Sequence, residues 1–380
     1  MPGKISEWTD FSLTEDQKQH WMDHGFIKIE NCFSPEFAEK WTSSIWTRLG
    51  ASPEDKSTWP TEKLNMPGHT VVSIKEHAPK AYAAMCELVG GEDRVAEWSM
   101  VLIHRRCRCK FWKDGFIPNL GKPEYKESDP LDMRSLDNWH CDGDWFTHFL
   151  DSPEQALLVI PLLTEIKPKG GGTVICTDGI KLVAERLYSM PRGATPYLAP
   201  RGSPEIPKSN PDRRKLWNSW VQDPSLCRDE SFHEATGNVG DVYFLHPFML
   251  HSASRNLLRN VRIITNPPVA LKEPFNYNRP DSKYSLVEAK TLKDLGRPEG
   301  LPEWKITAPR ELLPNAGGRI KSTGSLLVGR SKFSDADCLC AQLQMQEEMK
   351  RQELERLKKA GKPIHTLEGS SEYGLEYYPS

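Results

Sequence analysis

The chain has 380 residues, enough for one large domain or two modest ones. Its 50 basic and 52 acidic residues leave a formal net charge of −2, so no overall field draws it to nucleic acid or an anionic membrane. Apolar residues make up 38%, and no apolar run approaches the ~20 residues of a membrane span, which predicts a globular, soluble chain.

The opening MPGKISEWTDFSLTEDQ has no apolar core of a secretory signal, so a cytoplasmic location is expected. The nine cysteines, at 32, 86, 107, 109, 141, 176, 227, 338 and 340, are dispersed and form no CxxC. The CxC pairs Cys107/Cys109 and Cys338/Cys340 lack zinc spacing. The set reads as reduced cytosolic thiols.

Ser12, with Glu15 three residues on, predicts a capped helix through LTEDQKQHWMDHG, which Gly25 ends. FIKIENCF reads as a strand. Ser34-Pro35-Glu36 opens a second helix through EFAEKWTSSIWTRLG. Residues 51–70 read as a loop and 77–97 as a helix. WSMVLIHRRCRCKFW, from 98, is strand-like, and its basic residues at 105, 106, 108 and 110 are expected on a solvent face. A polar loop follows over 113–138, and then WHCDGDWFTHFL. Strands are expected in ALLVIPLLTEI and TVICTD, with mixed helix and loop over 180–230. GDVYFLHPFMLHSAS and VRIITNPPVAL then read as two further strands joined by RNLLRN. Short β runs bounded by Gly and Pro favour a barrel or jelly roll. Residues 334–360 read as one charged helix with a patchy apolar stripe, able to dock on the body or to support self-association.

The chemistry concentrates in His140-Cys141-Asp142 and in His251, 109 residues later. Two imidazoles and one carboxylate are the ligand set of the facial triad that holds non-haem Fe(II) and leaves positions open for substrate and O₂. Residues two apart on an extended strand face one way, so His140 and Asp142 can share an ion while Cys141 packs on the other side. His148 and His246 are competing imidazoles. Arg262 lies eleven residues past His251 in VRIITN. If its face points inward, it is a buried cation that needs an anion, and the far carboxylate of a 2-oxo acid is a bidentate match. The alternative is a surface or salt-bridged arginine. The segments 113–138 and 181–235 can cover the mouth of a barrel, and their aromatic residues (with Trp112, Tyr125, Tyr188, Trp217 and Trp220) either line a pocket or pack the lids.

With these residues in view, the chain resembles the phytanoyl-CoA hydroxylase-like family of Fe(II)/2-oxoglutarate dioxygenases over about 12–270. The resemblance is carried by LTEDQKQHWMDHGFIKIENCFSPEFAEKW, WHCDGDW, the Gly-Gly-Thr turn at 171–173, and GDVYFLHPFMLHSASRN…VR with Asn256 and Arg262. It implies a double-stranded β-helix, mainly β with helical additions, with the core at about 98–270. It implies His140, Asp142 and His251 as iron ligands, Arg262 as the 2-oxoglutarate anchor, and Thr173 on the same cavity. Iron, 2-oxoglutarate and O₂ would oxidise a C–H bond of a small organic or lipid-like molecule, by default hydroxylating it, with decarboxylation of 2-oxoglutarate to succinate. One domain over 1–330 and a helical extension over 331–380 are expected. Two departures stand out: Ala253 occupies the position of a usual Ser, and Cys-Thr-Asp-Gly follows the Gly-Gly-Thr turn. The rival reading is a non-catalytic binding protein of the same fold.

Overall fold

The computed structural model describes residues 11–61, 63–96, 110–204, 206, 210–313, 348–361 and 376–377. Four helices and two short strands lead the chain: α1 (Glu15–His24), β1 (Phe26–Ile29), α2 (Pro35–Thr42), α3 (Ile45–Leu49), β2 (Thr70–Ser73) and α4 (Ile74–His77). The helix α5 (Pro79–Val89) and the strands β3 (Phe111–Lys113), β4 (Ile117–Pro118), β5 (Leu157–Pro161) and β6 (Thr173–Cys176) follow. Next come α6 (Gly179–Tyr188), α7 (Lys215–Gln222), β7 (Phe232–Glu234), β8 (Val242–Leu245), β9 (Leu250–Ala253), β10 (Ile263–Ile264), β11 (Pro268–Val269), α8 (Leu286–Asp294) and β12 (Glu376–Tyr377). Positions 348–359 form a further helix, the tail helix.

The chain is thus mixed helix and strand, with antiparallel sheets, rather than mainly β. Its strands are short partly because proline cuts them. Pro247 has no N–H to give a ladder, and the run expected as one strand through GDVYFLHPFMLHSAS is two, β8 and β9, in different sheets. Pro267 likewise lies between β10 and β11, and Pro268 opens β11. The described strands pair as β1-β8-β5-β11, β7-β6-β9, β10-β4 and β12-β2-β3. The first sheet is the apolar floor: β5 and β8 are buried along their whole length.

The first helix begins two residues later than Ser12 suggests. Thr14 is its N-cap, in a reciprocal box with Gln17, while the Ser12 hydroxyl bonds to Glu87 Oε2 at 3.2 Å. Gly25 ends it in the left-handed conformation (φ 68°). Its buried Trp21 donates Nε1–H to Leu286 O at 3.0 Å, which ties α1 to α8. Ser34 caps α2 with Pro35 at the first position, but Ser43 and Ser44 interrupt the long helix expected there, giving α2 and α3. Residues 98–109, with Arg105, Arg106 and Arg108, lie outside the described residues, as do 334–347 of the tail. The five described cysteines, Cys32, Cys86, Cys141, Cys176 and Cys227, are free thiols. No described helix is long and apolar enough to cross a membrane.

Candidate metal centre

His251 sits in β9, a central position between two neighbours. One is β6, where Ile175 stands opposite it. The other is the isolated bridge to His140, with His140 N–H to His251 O and His251 N–H to His140 O both at 3.0 Å. Backbone pairing therefore sets the two imidazoles side by side, with ring centroids 4.2 Å apart. Asp142 follows at a bend, and Gly143 (φ 110°) turns the chain. A Cβ at Gly143 would come within 2.8 Å of Phe146 and His148, so a side chain there would push the turn away from the centre.

The ligand-type atoms of His140, Asp142 and His251 all lie within 4.8 Å of one another. Asp142 Oδ1 is 3.4 Å from His140 Nε2 and 3.6 Å from His251 Nε2. Each imidazole gives its Nδ1–H to a carbonyl two residues back: His140 to Asn138 O at 2.6 Å, and His251 to Met249 O at 3.1 Å. A carbonyl only accepts, so each Nδ1 carries a proton and Nε2 is the nitrogen turned to the carboxylate. Burial alone would raise the Asp142 pKa, but the two imidazoles outweigh it and hold the carboxyl far below its usual range. Burial, with help from His251, pushes His140 down, against the opposing pull of Asp142. The result is two imidazoles gathered on one carboxylate.

This donor set fits a divalent transition ion. Metal–ligand distances of about 2.1 Å put adjacent donors roughly 3 Å apart, close to the separations seen here. The competing histidines are spoken for. His148 gives Nε2–H to Gly143 O at 2.5 Å. His246 accepts Phe248 N–H at Nδ1 and donates Nε2–H to Thr291 Oγ1 at 2.9 Å. Cys141 is buried away from the centre, against Phe248 O at 3.5 Å.

Arg262 precedes β10 and is 2% exposed. It donates Nη1–H to Ile117 O at 3.0 Å and Nη2–H to Thr173 Oγ1 at 3.1 Å, while Nε has no partner. Burial lowers its pKa to about 10. Glu234 acts on it as an opposing charge, but that carboxylate is engaged elsewhere, by the N–H groups of Lys169 (2.8 Å) and Gly172 (3.0 Å). Arg262 is therefore a buried cation without an ion pair among the described residues. Thr173 opens β6 opposite Ala253, so the hydroxyl on this face comes from Thr173.

Sequence reasoning missed the residues that brace this end. Asn119 gives its backbone N–H to Arg262 O at 2.9 Å and its Nδ2–H to Ser254 O at 3.0 Å. Asn256 returns Nδ2–H to Asn119 O and to Asn260 O, both at 2.7 Å. Asn256 was visible as the fifth residue past His251, but Asn119 carried no signal in a loop of polar residues. Of the aromatic residues considered for lids, Trp112 and Trp217 are each 1% exposed and belong to the core. A cavity of about 160 Å³ is lined by Thr147, Tyr197, Arg201, Ile206, Glu311 and others, and its lining includes none of His140, Asp142 and His251.

No family model and no curated protein matches the chain. Among solved structures it is similar to HygX from Streptomyces hygroscopicus, crystallised with nickel and 2-oxoglutarate: 13% identity, TM-score 0.36, covering 69% of this chain and 88% of that one. It is also similar to the non-heme alpha-ketoglutarate-dependent carbocyclase SnoK from nogalamycin biosynthesis (14%, 0.37, 71% and 87%). A third is EvdO2 from Micromonospora carbonacea var. aurantiaca (13%, 0.30, 70% and 95%). At such identities and scores, the chemistry of this centre stands on its own residues.

Proposed function

We propose that the chain is a non-haem Fe(II)- and 2-oxoglutarate-dependent oxygenase, and that His140, Asp142 and His251 hold the iron. The observation that carries this reading is the convergence of two imidazole nitrogens and one carboxylate oxygen within 4.8 Å. Such a set carries one negative charge and occupies one face of an octahedron. When bound, the iron supplies the oxidation of a C–H bond of a small organic or lipid-like molecule, with O₂ as oxidant and 2-oxoglutarate going to succinate. Hydroxylation is the default outcome.

The protein's part is binding and orientation. The carbonyls of Asn138 and Met249 fix the imidazole rings and their tautomers. Arg262, held by Ile117 O and Thr173 Oγ1, offers its guanidinium to the far carboxylate of 2-oxoglutarate. Its burial without a counter-ion supports that role, because an isolated buried cation is costly. Thr173 positions Arg262 and lines the same space. The motifs of 139–145 and 240–262 resemble those of the phytanoyl-CoA hydroxylase-like enzymes, which supports a kinship with them. The double-stranded β-helix and a single catalytic domain over 1–330 belong to the same proposal.

The test is turnover and binding by anaerobically purified full-length protein. With Fe(II) and 2-oxoglutarate it should release succinate slowly even without substrate. His140→Ala and Asp142→Ala should lose iron, and Arg262→Ala should keep iron but lose 2-oxoglutarate. A protein that binds neither would refute the reading.

A further inference from the structure

We propose that the cavity of about 160 Å³ at Thr147, Arg201 and Glu311 is a second binding site, for a neutral molecule the size of one aromatic ring with a single polar group. The site does not rest on the oxygenase reading, since its lining includes none of His140, Asp142, His251 and Arg262.

Backbone bonds build the cavity from three segments of the chain. The middle one is 145–148, which follows the Asp142-Gly143 bend. Along one edge of it lie residues 311–313, with Thr147 N–H to Glu311 O at 2.8 Å and Leu313 N–H to Trp145 O at 2.7 Å. On the other side His148 and Ala194 exchange N–H···O bonds, both at 2.9 Å. The wall that starts at Ala194 is closed on itself. Thr195 N–H reaches Ala199 O and Leu198 N–H reaches Thr195 O, both at 2.8 Å, and Arg201 N–H returns to Gly193 O at 3.0 Å. The Arg213 guanidinium lies 3.9 Å from the centroid of the Tyr197 ring and steadies that ring in the wall. Segments tied in this way cannot collapse to fill the space, so the cavity is preformed.

Size and lining define the occupant. An apolar cavity of about 150 Å³ stays dry and takes up benzene, whereas sites for drug-sized molecules begin near about 300 Å³. Ala194, Pro196, Tyr197, Ala199 and Leu313 make this lining mostly apolar. Its two charged residues neutralise each other. Arg201 gives Nη2–H to Glu311 Oε2 at 2.7 Å and Nη1–H to Pro309 O at 2.6 Å, which also latches the 193–201 wall to the segment at 309–311. An ion entering here would have to displace a partner already in place, a cost that a neutral molecule avoids. One polar handle remains. Thr195 Oγ1 accepts Ala199 N–H at 3.2 Å, which leaves its O–H to donate to a hydroxyl or carbonyl oxygen of the ligand.

The test is calorimetric titration of the full-length protein with two probes of one ring each, phenol and benzoate. Phenol should bind with a Kd of about 1 mM or tighter, as its few atoms allow. Ala199→Leu fills the space from the wall and should weaken phenol binding about tenfold or more. Should that variant fail to fold, Ser203→Phe blocks the same space from a half-exposed turn. Benzoate, at the site these substitutions block, should bind about tenfold more weakly than phenol. Glu311→Gln keeps the shape but leaves the Arg201 charge uncompensated, so the preference should swing to benzoate. Absence of phenol binding overturns the proposal. So does phenol binding that survives the filling substitutions, benzoate binding as tight as phenol in the wild type, or a preference that Glu311→Gln leaves unmoved.

Discussion

Two arginines are buried almost equally, Arg48 at 3% and Arg262 at 2% exposure, yet their surroundings are opposite. Arg48 is saturated from within the chain. It reaches Asp114 Oδ2 at 3.2 Å, Glu353 Oε1 at 3.2 Å and Oε2 at 3.3 Å, and Pro67 O at 2.5 Å, while His69 Nε2 lies 3.2 Å from the same Glu353. Glu353 belongs to the tail helix and is itself buried, with Leu357 beside it in the core. That network docks the tail helix onto the segment leading to β2. Arg262 has one hydroxyl, one carbonyl and no carboxylate. Desolvating a charge needs a partner in either place. Where the chain supplies the partner, the charge is architecture. Where it does not, the proposed function brings the partner from solution.

The largest effect should come from breaking the saturated site. Glu353→Ala leaves Arg48 with Asp114 as its one carboxylate, and opening a buried pair costs about 3 kcal/mol. Denaturant unfolding should show that loss, with the affinity for 2-oxoglutarate unchanged. A loss below about 1 kcal/mol would put Arg48 in the class of exposed pairs and dissolve the contrast. Next comes the open site. Arg262→Met removes a desolvated cation of similar length, so stability should hold within about 1 kcal/mol. The affinity for 2-oxoglutarate should fall by about 2–3 kcal/mol, roughly thirty- to a hundredfold, as for a charged hydrogen-bonding partner. Strong destabilisation with affinity intact would make Arg262 another Arg48.

The open site was legible in the sequence and the saturated one was not, for a physical reason. His140 and Asp142 are two apart and can be recognised from spacing alone, and His251 and Arg262 each stand in a short apolar run, FMLH and VRII. Side-chain alternation is local, so it survives in the sequence. The network of Arg48, Asp114 and Glu353 joins residues up to 305 positions apart, and nothing local announces it. Strand ends were misjudged where proline decides them, at Pro247 and at Pro267-Pro268. The N-cap was misjudged because Ser12 and Thr14 both head plausible boxes, and only Glu87 at Ser12 separates them.

Histidines repeat the contrast and give it a pH dependence. His148 and His246 are satisfied by the protein and held neutral, their pKa values lowered by burial to about 4 and about 3. Unfolded, both would titrate near about 6.5. Between these values the unfolded chain binds more protons, so stability is full above about pH 6.5 and falls as pH drops towards 4. A loss of about 2 kcal/mol between pH 7.5 and 5.5 is expected of the wild type. His246→Gln should flatten part of that slope. A slope identical in the variant would mean that His246 is protonated in the fold.

The smallest effect sharpens the contrast most, because it changes one contact at constant shape. Thr173→Val removes only the oxygen that accepts Arg262 Nη2–H at 3.1 Å and keeps the branched side chain that β6 packs. Arg262 would then hold Ile117 O alone, with Nε and Nη2 both unpartnered. A guanidinium less firmly aimed should bind 2-oxoglutarate about fivefold more weakly, near 1 kcal/mol, the net worth of one hydrogen bond. Thr173→Ser should restore the wild-type affinity, since the acceptor returns. If valine binds as tightly as threonine, the co-substrate carboxylate itself fixes the guanidinium, and the partner from solution does at Arg262 the whole of what Asp114 and Glu353 do at Arg48.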